Sequence, residues 1–220
     1  MRDVQAARGK AIGADQPVDE PVDEDESGRG RPTGQARTRS TVILLGVAVV
    51  CWAVDQLTKA IVVARLDPAD PVRLLGGLLT LRLVRNPGAA FSLGEDYTIV
   101  FTLLSAAVLA FVLIFLMRRV AHTGWAVALG LLSAGILGNL TDRVLRPPSP
   151  LHGHVVDFLQ LPYWAIFNVA DMCVVTAAVM IMVLSVVKNI TLDGEPAGQP
   201  ASRATSQPAV PPGEPAQGER

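Results

Sequence analysis

The chain is poor in the residues that most hydrolases use as nucleophiles or metal ligands, holding two cysteines and three histidines among 220 residues. It has no HExxH helix, which excludes the common zinc-protease arrangement, and no GxSxG elbow. No serine or cysteine stands in a setting that pairs it with an activating histidine. Gly-rich phosphate loops are missing as well. Cys51 and Cys173 both fall within apolar runs, where a thiol behaves as a small hydrophobe, so no disulfide is expected. Internal repeats are absent, and with them the inverted halves of many transporters.

Half of the residues are hydrophobic and the formal net charge is only −1, but these averages hide a divided chain. Residues 1–40 include the charged stretch "VDEPVDEDESGRGRPTG" and have no aromatic residue; residues 189–220 are rich in Pro, Gly and Ala. Neither segment has enough apolar side chain to offset the entropy of ordering, so both read as disordered tails around a membrane domain at 41–188. A cleaved signal peptide is not expected, because the first apolar run lies behind a charged 40-residue tail without a clear small-residue cleavage site.

Four apolar runs approach the ~20 residues needed to cross a bilayer. Tyr97–Met117 is free of charge, and Thr123–Thr141 likewise. The first run starts at Thr41 and meets Asp55, so "DQLTK" must lie in or near the membrane. The fourth runs from about Pro162 to Val187 and contains Asp171. Four spans place both tails on one side. With the tails cytoplasmic, that face has Arg29, Arg31, Arg37, Arg39, Arg118, Arg119 and Lys188, against Arg65, Arg73, Arg82, Arg85, Arg143 and Arg146 on the other. Such a near balance does not fix the orientation.

Between the first two runs, Leu79, Leu81 and Leu83 alternate with Thr80 and Arg82, the period of a strand with one apolar face. Asn86-Pro87-Gly88 reads as a turn, and "AAFSL" as a possible returning strand. A small sheet at the membrane surface is therefore expected, with an ordinary helix-connecting hairpin as its alternative. Pro147, Pro148 and Pro150 exclude a continuous helix after the third run. Tyr163 and Trp164 suit an interfacial belt, which would put Asn168 and Asp171 one or two turns inside the fourth helix.

Taken singly, the polar residues allow ordinary explanations. Asn168 and Asp171 have the spacing of a capping box. Asp55 and Lys59 have the order of an i,i+4 ion pair. Asp157 could be a solvated loop acid. The third run is harder to explain in this way: Gly135, Asn139, Asp142 and Arg143 lie along one stripe, beside the small-residue series Gly130, Ala134 and Gly138. Asp55, Lys59, Asn86, Asn139, Asp142, Arg143, Asp157, Asn168 and Asp171 all belong to one side of the membrane, so a shared site accounts for them better than separate accidents. Two carboxylates that share a proton can hydrolyse an amide without a covalent intermediate, one activating water and the other polarising the carbonyl. An intramembrane proton or ion relay in a small transporter is the principal alternative. A metallopeptidase using His152, His154 and Asp157 is a weaker one.

Five blocks in order, "DQLTK", "RNPGAAFSL", "GNLTDR", "VVDF" and "FNVAD", closely resemble the lipoprotein signal peptidase (signal peptidase II) family over about residues 42–187. The resemblance implies an all-α membrane protein of four transmembrane helices, with a small extracytoplasmic β-sheet and a periplasm-facing loop. It implies an aspartic endopeptidase that cuts diacylglyceryl-modified prolipoproteins just before the lipidated Cys, with both termini cytoplasmic and the site at the outer face of the bacterial cell membrane. Asp157 and Asp171 take the catalytic positions; Asp55, Lys59, Asn86, Gly88, Asn139, Asp142, Arg143, Asn168 and Ala170 take supporting ones. No cofactor, metal or nucleic-acid partner is expected, and the chain is expected to act as a monomer among membrane lipids. On this reading Asp142 pairs with Arg143, Asp55 and Lys59 fix the first helix against the surface sheet, and Asn139 and Arg143 hold substrate backbone or order the site. The long tails depart from the compact family pattern.

Overall fold

In the computed structural model, which describes residues 34–88 and 98–196, four helices are long and apolar enough to cross a membrane: Gly34–Arg65, Thr98–Arg119, Thr123–Leu145 and Val169–Val187. We label the first α1 and the third α3. Helix α2 is Thr98–Phe111, which passes through a wider turn at Val112–Leu116 and a tighter one at Met117–Arg119; α4 is Val169–Met182, continued by wide turns through Val187. Each backbone polar group within a span has to be satisfied inside the helix, because lipid offers no partner. The apolar residues that α1 leaves exposed, among them Val49, Val50, Leu57 and Ile61, form the surface expected to face lipid.

Helix α3 is the central element, packed against α1 on one side and α4 on another. The small-residue series explains how the backbones come so close. A Cβ on Gly130 would stand 2.8 Å from the Leu44 carbonyl of α1, and one on Gly138 would stand 2.6 Å from Asp55 Oδ2 and 2.9 Å from Ala170 Cβ. Gly135 is closed off by the Ala170 carbonyl and Val174 of α4. One end of the bundle is filled by Leu44, Val112, Val120, Trp125, Ala126, Leu129 and Leu184.

At the other end lies a three-stranded antiparallel sheet in the order β1 (Val72–Leu74), β2 (Leu79–Asn86), β3 (Val155–Gln160). The alternating leucines of β2 are strand residues as expected. The strand at Val155–Gln160 was not anticipated: the segment between the third and fourth runs reads as a proline-rich loop, and its prolines in fact end α3 before a short apolar strand. Val156 and Phe158 of β3 pack with Leu83 and with Val62 of α1, which ties the sheet to the helix ends.

The β2–β3 register holds a bulge. Leu81 faces Leu159, but Val84 faces Asp157 and Asn86 faces Val155, so β2 has one extra residue between these points. In a strand a one-residue slip reverses the face of every later side chain. Without the bulge, Val84 and Asn86 would share the face of Val156; with it, Asn86 shares the face of Asp157.

Three expected boundaries are corrected. Helix α1 begins at Gly34, seven residues before Thr41, so the N-terminal tail is shorter than 40 residues. Residues 189–196 are also structured: Trp125 Nε1 donates to the Ile190 carbonyl at 3.0 Å, and the amides of Ala121 and His122 donate to the Leu192 carbonyl. The fourth helix starts at Val169, not near Pro162, because Phe167 is held extended by backbone hydrogen bonds with Leu159. The returning strand proposed for "AAFSL", residues 89–93, lies outside the described residues, as do residues 1–33 and 197–220.

Candidate active site

Asn168 is the N-cap of α4, and its side-chain oxygen accepts from the amide of Asp171 at 3.0 Å. Asp171 Oδ2 accepts in return from the Asn168 amide at 3.1 Å, completing a capping box. The sequence placed these residues one or two turns inside the helix. They stand instead at its first turn, where free amide groups and the helix dipole favour a carboxylate. The cap does not exhaust Asn168. Its Nδ2 donates to Asp157 Oδ1 at 2.7 Å and to Asn139 Oδ1 at 3.2 Å, so one residue joins the two acids, Asp157 through its side chain and the Asp171 carboxylate through its backbone amide.

Asp157 is 3% exposed on β3. Its second oxygen accepts from Asn86 Nδ2 at 2.9 Å, a contact that the bulge in β2 makes possible. Burial pushes the Asp157 carboxyl up to about 6, reinforced by the negative charge of Asp171; the hydrogen bonds from Asn86 and Asn168 act against that rise. Asp171 Oδ1 accepts from Asn139 Nδ2 at 2.8 Å.

Behind this pair lies a polar row whose Asp55, Lys59 and Asp142 are fully buried and whose Arg146 is partly exposed. Lys59 of α1 contacts Asp55 Oδ2 at 2.9 Å, Asp142 Oδ2 of α3 at 2.7 Å and Asn139 Oδ1 at 3.1 Å. Asp142 also meets Arg146 Nε at 2.5 Å and accepts from the Val156 amide of β3 at 3.2 Å. Asp55 Oδ1 accepts from the Ala170 amide at 2.9 Å. Two carboxylates and two cations thus alternate as Asp55, Lys59, Asp142, Arg146, and the row is neutral as a whole. Within a bilayer this matters, because each unpaired charge would cost several kcal/mol.

Two expected pairings are corrected here. Asp142 is bound to Lys59 and Arg146, not to Arg143, since neighbouring residues on a helix point in different directions. Asp55 and Lys59 do not fix α1 against the sheet; their contacts run to α3 and to the start of α4. Arg143 has its guanidinium 5.9 Å from the Phe101 ring and its buried Nη1 without a hydrogen-bond partner among the described residues. Gly88 is beside it, at φ 110, where a Cβ would stand 3.2 Å from Phe101 and 3.7 Å from Arg143 Nη1.

The geometry has counterparts among known proteins. Residues 47–187 match the family model described as signal peptidase (SPase) II. The lipoprotein signal peptidase of Mycobacterium tuberculosis strain H37Rv is 46% identical over 164 residues, 74% of this chain and 80% of that protein. The one from Streptomyces griseus is 41% identical over 168 residues, 76% and 81% of the two chains. A solved structure titled as a bacterial membrane enzyme superposes with a TM-score of 0.58 at 28% identity, over 65% of this chain and 92% of that one. The chain belongs to the signal peptidase II family.

Membership makes it a membrane peptidase, and the described residues of the five sequence blocks that suggested signal peptidase II lie wholly or partly at one end of the bundle. Three residues were underrated by sequence. Gln56, inside the block "DQLTK", donates to Asp55 Oδ2 at 3.0 Å and to the Gly138 carbonyl at 3.2 Å. Arg146, counted only as a loop charge, closes the ionic row. Trp52 ties α1 to α3 by donating to Thr141 Oγ1 at 3.1 Å. The i,i+4 relation between Asp142 and Arg146 was the one available signal for these contacts. His152 and His154 do not join the site: His152 is directed to the Pro150 carbonyl at 3.3 Å, and no three His, Cys, Asp or Glu among the described residues converge as metal ligands would.

Proposed function

We propose that this signal peptidase II is an aspartic endopeptidase that removes the signal peptide from diacylglyceryl-modified prolipoproteins, cutting the bond before the lipidated Cys. The carrying observation is the Asp157–Asn168–Asp171 bridge at the mouth of the bundle, in which Asn168 holds the Asp157 carboxylate through its side-chain amide and the Asp171 carboxylate through its backbone amide. Charge supports a shared proton. Asp157, Asp171 and Arg143 sum to −1 with both acids ionised and to zero with one proton between them, the better state in a low dielectric. Burial makes Asp157 the better holder of that proton.

On this reading Asp171, ionised, takes a proton from water as the water oxygen attacks the scissile carbonyl carbon. Asp157, protonated, donates to the carbonyl oxygen. Collapse of the tetrahedral intermediate breaks the C–N bond, with a proton passing to the departing amine of the Cys, and the carboxyls again share one proton. Asn139 has both ends of its amide engaged within the protein, so it orders the site. Arg143 retains a donor and is the group we assign to substrate backbone. The site faces outward with both termini cytoplasmic, and the chain acts as a monomer.

The deciding experiment uses the purified full chain with a diacylglyceryl-modified prolipoprotein. Asp157→Asn and Asp171→Asn are each expected to lower kcat by at least about 10³-fold with folding intact. Cleavage surviving in both variants would overturn the mechanism. Activity lost on chelation would point to a metal instead.

A further inference from the structure

A second polar concavity lies on the sheet, and none of its lining residues belongs to the carboxylate site. It is a cavity of about 570 Å³ lined by Arg73, Thr80, Arg82, Gln160, Tyr163 and the glycines at 76 and 77, among others. The strand register accounts for its chemistry. Arg73 of β1 pairs with Thr80 of β2, and Thr80 pairs with Gln160 of β3, so a guanidinium, a hydroxyl and an amide form one row across the sheet. Arg82 follows two residues along β2. Neither arginine has a carboxylate within ion-pair distance among the described residues. Two unpaired guanidiniums beside further hydrogen-bond donors fit a phosphate, which their planar forks bind well.

The lining residue Tyr163 and the apolar residues next to the lining in sequence indicate the source of that phosphate. Leu75 is 75% exposed, Leu78 60% and Trp164 69%, and Tyr163 is fully exposed. Leu75 and Tyr163 sit at φ 49 and 61, a conformation uncommon for residues with side chains. The backbone therefore holds two large side chains outward in a strained pose, and water is a poor environment for them. The sheet is joined by short links to α1 at Arg65 and to α4 at Val169, which keeps it near the ends of two spans. Aromatic and aliphatic side chains around a cationic concavity at that depth match the boundary between headgroups and acyl chains.

We infer that the cavity formed by Arg73, Thr80, Arg82 and Gln160 binds the phosphate headgroup of an anionic phospholipid, with Leu75, Leu78 and Trp164 against its acyl chains. A free phosphate ion would leave the apolar rim unused, and the diacylglyceryl group of the proposed substrate has no anion for two arginines. The inference rests on the proposed membrane placement of the sheet, but not on the peptidase chemistry.

The test places the full chain in vesicles of phosphatidylcholine with a minor fraction of phosphatidylglycerol and measures by mass spectrometry which lipid remains bound after gentle extraction. The intact protein is expected to retain phosphatidylglycerol about tenfold over its share of the bilayer. The doubly substituted Arg73→Gln, Arg82→Gln protein should lose that preference, with kcat in pure phosphatidylcholine unchanged. Both arginines are exposed and have no carboxylate partner among the described residues, so an unaltered Tm serves as the folding control. Equal retention by the double variant would overturn the inference. So would full displacement of the lipid by millimolar inorganic phosphate, which would assign the cavity to a free anion. A raised KM for substrates with acidic residues after the cleavage site, without any lipid preference, would assign it to the peptide. Lipid retention is read without turnover; lost cleavage with retention intact would count against the peptidase reading alone.

Discussion

The two ends of the helical bundle use the same helices and solve packing in opposite ways. At one end α1 and α3 meet through Leu44, Trp125, Ala126 and Leu129, with α4 contributing Leu184. At the other, α1 and α3 meet through Lys59, Asp55 and Asp142, all essentially without exposure, and α4 contributes its first amide groups. Apolar contact would have been the cheaper filling in both places, because a buried ion pair gains little over a hydrophobic substitute. The polar end is therefore better explained by what it positions. Its row of charges fixes Asn139, which fixes Asp171, and it holds α4 so that Asn168 reaches Asp157.

The largest expected effect follows from removing one member of that row. Lys59→Ala leaves the buried Asp55 without a cation and Asp142 with Arg146 alone, and should cost about 3–5 kcal/mol. Leu44→Ala at the apolar end leaves only a cavity, with a loss of about 2–5 kcal/mol. The two variants separate in activity: thermal unfolding in detergent should show both destabilised, but only Lys59→Ala should lose cleavage at temperatures where it remains folded. Equal activity in the two folded variants would break the distinction between the ends.

A smaller effect separates the glycines of α3. Gly138→Ala forces its methyl against Asp55 Oδ2, and Gly130→Ala forces one against the Leu44 carbonyl. Each should cost about 1–3 kcal/mol by overpacking. Displacing Asp55 also disturbs its bond from the Ala170 amide and so the first turn of α4. A drop in kcat is therefore expected for Gly138→Ala and not for Gly130→Ala, measured with the same substrate below both melting points.

How much of this was legible beforehand differs between the two ends as well. The apolar end follows from hydropathy, and so do the four spans. At the polar end, the capping box of Asn168 and Asp171 and the ion pair of Asp55 with Lys59 were readable because both are local, set by i,i+3 and i,i+4 spacing. What could not be read was non-local. Nothing in "LRLVRN" marks the bulge that turns Asn86 to the face of Asp157, since that depends on the register with β3. The partner of Asp142 was misassigned for the same reason: Lys59 lies 83 positions away in sequence, and adjacency to Arg143 is not contact. Strand β3 was missed because its short apolar run follows three prolines, where loop signals dominate.

The smallest effect concerns acidity and confines pH sensitivity to one end. The folded-state value of Asp157 is raised to about 6, above the ordinary carboxylate value of 3.8, chiefly by burial. If its protonated form is the one that polarises the scissile carbonyl, kcat/KM should fall as pH rises through about 6, where that proton is lost. The hydrogen bond from Asn86 stabilises the ionised form and so holds the value down. Asn86→Ala should consequently move the alkaline limb upward, by less than about one unit if the bond is worth roughly 1 kcal/mol. Leu129→Ala, at the apolar end, should leave the limb in place whatever it does to stability. An acid limb near pH 6 that moves upward in Asn86→Ala would show that Asp157 works in its ionised form, and would exchange the roles assigned to it and Asp171.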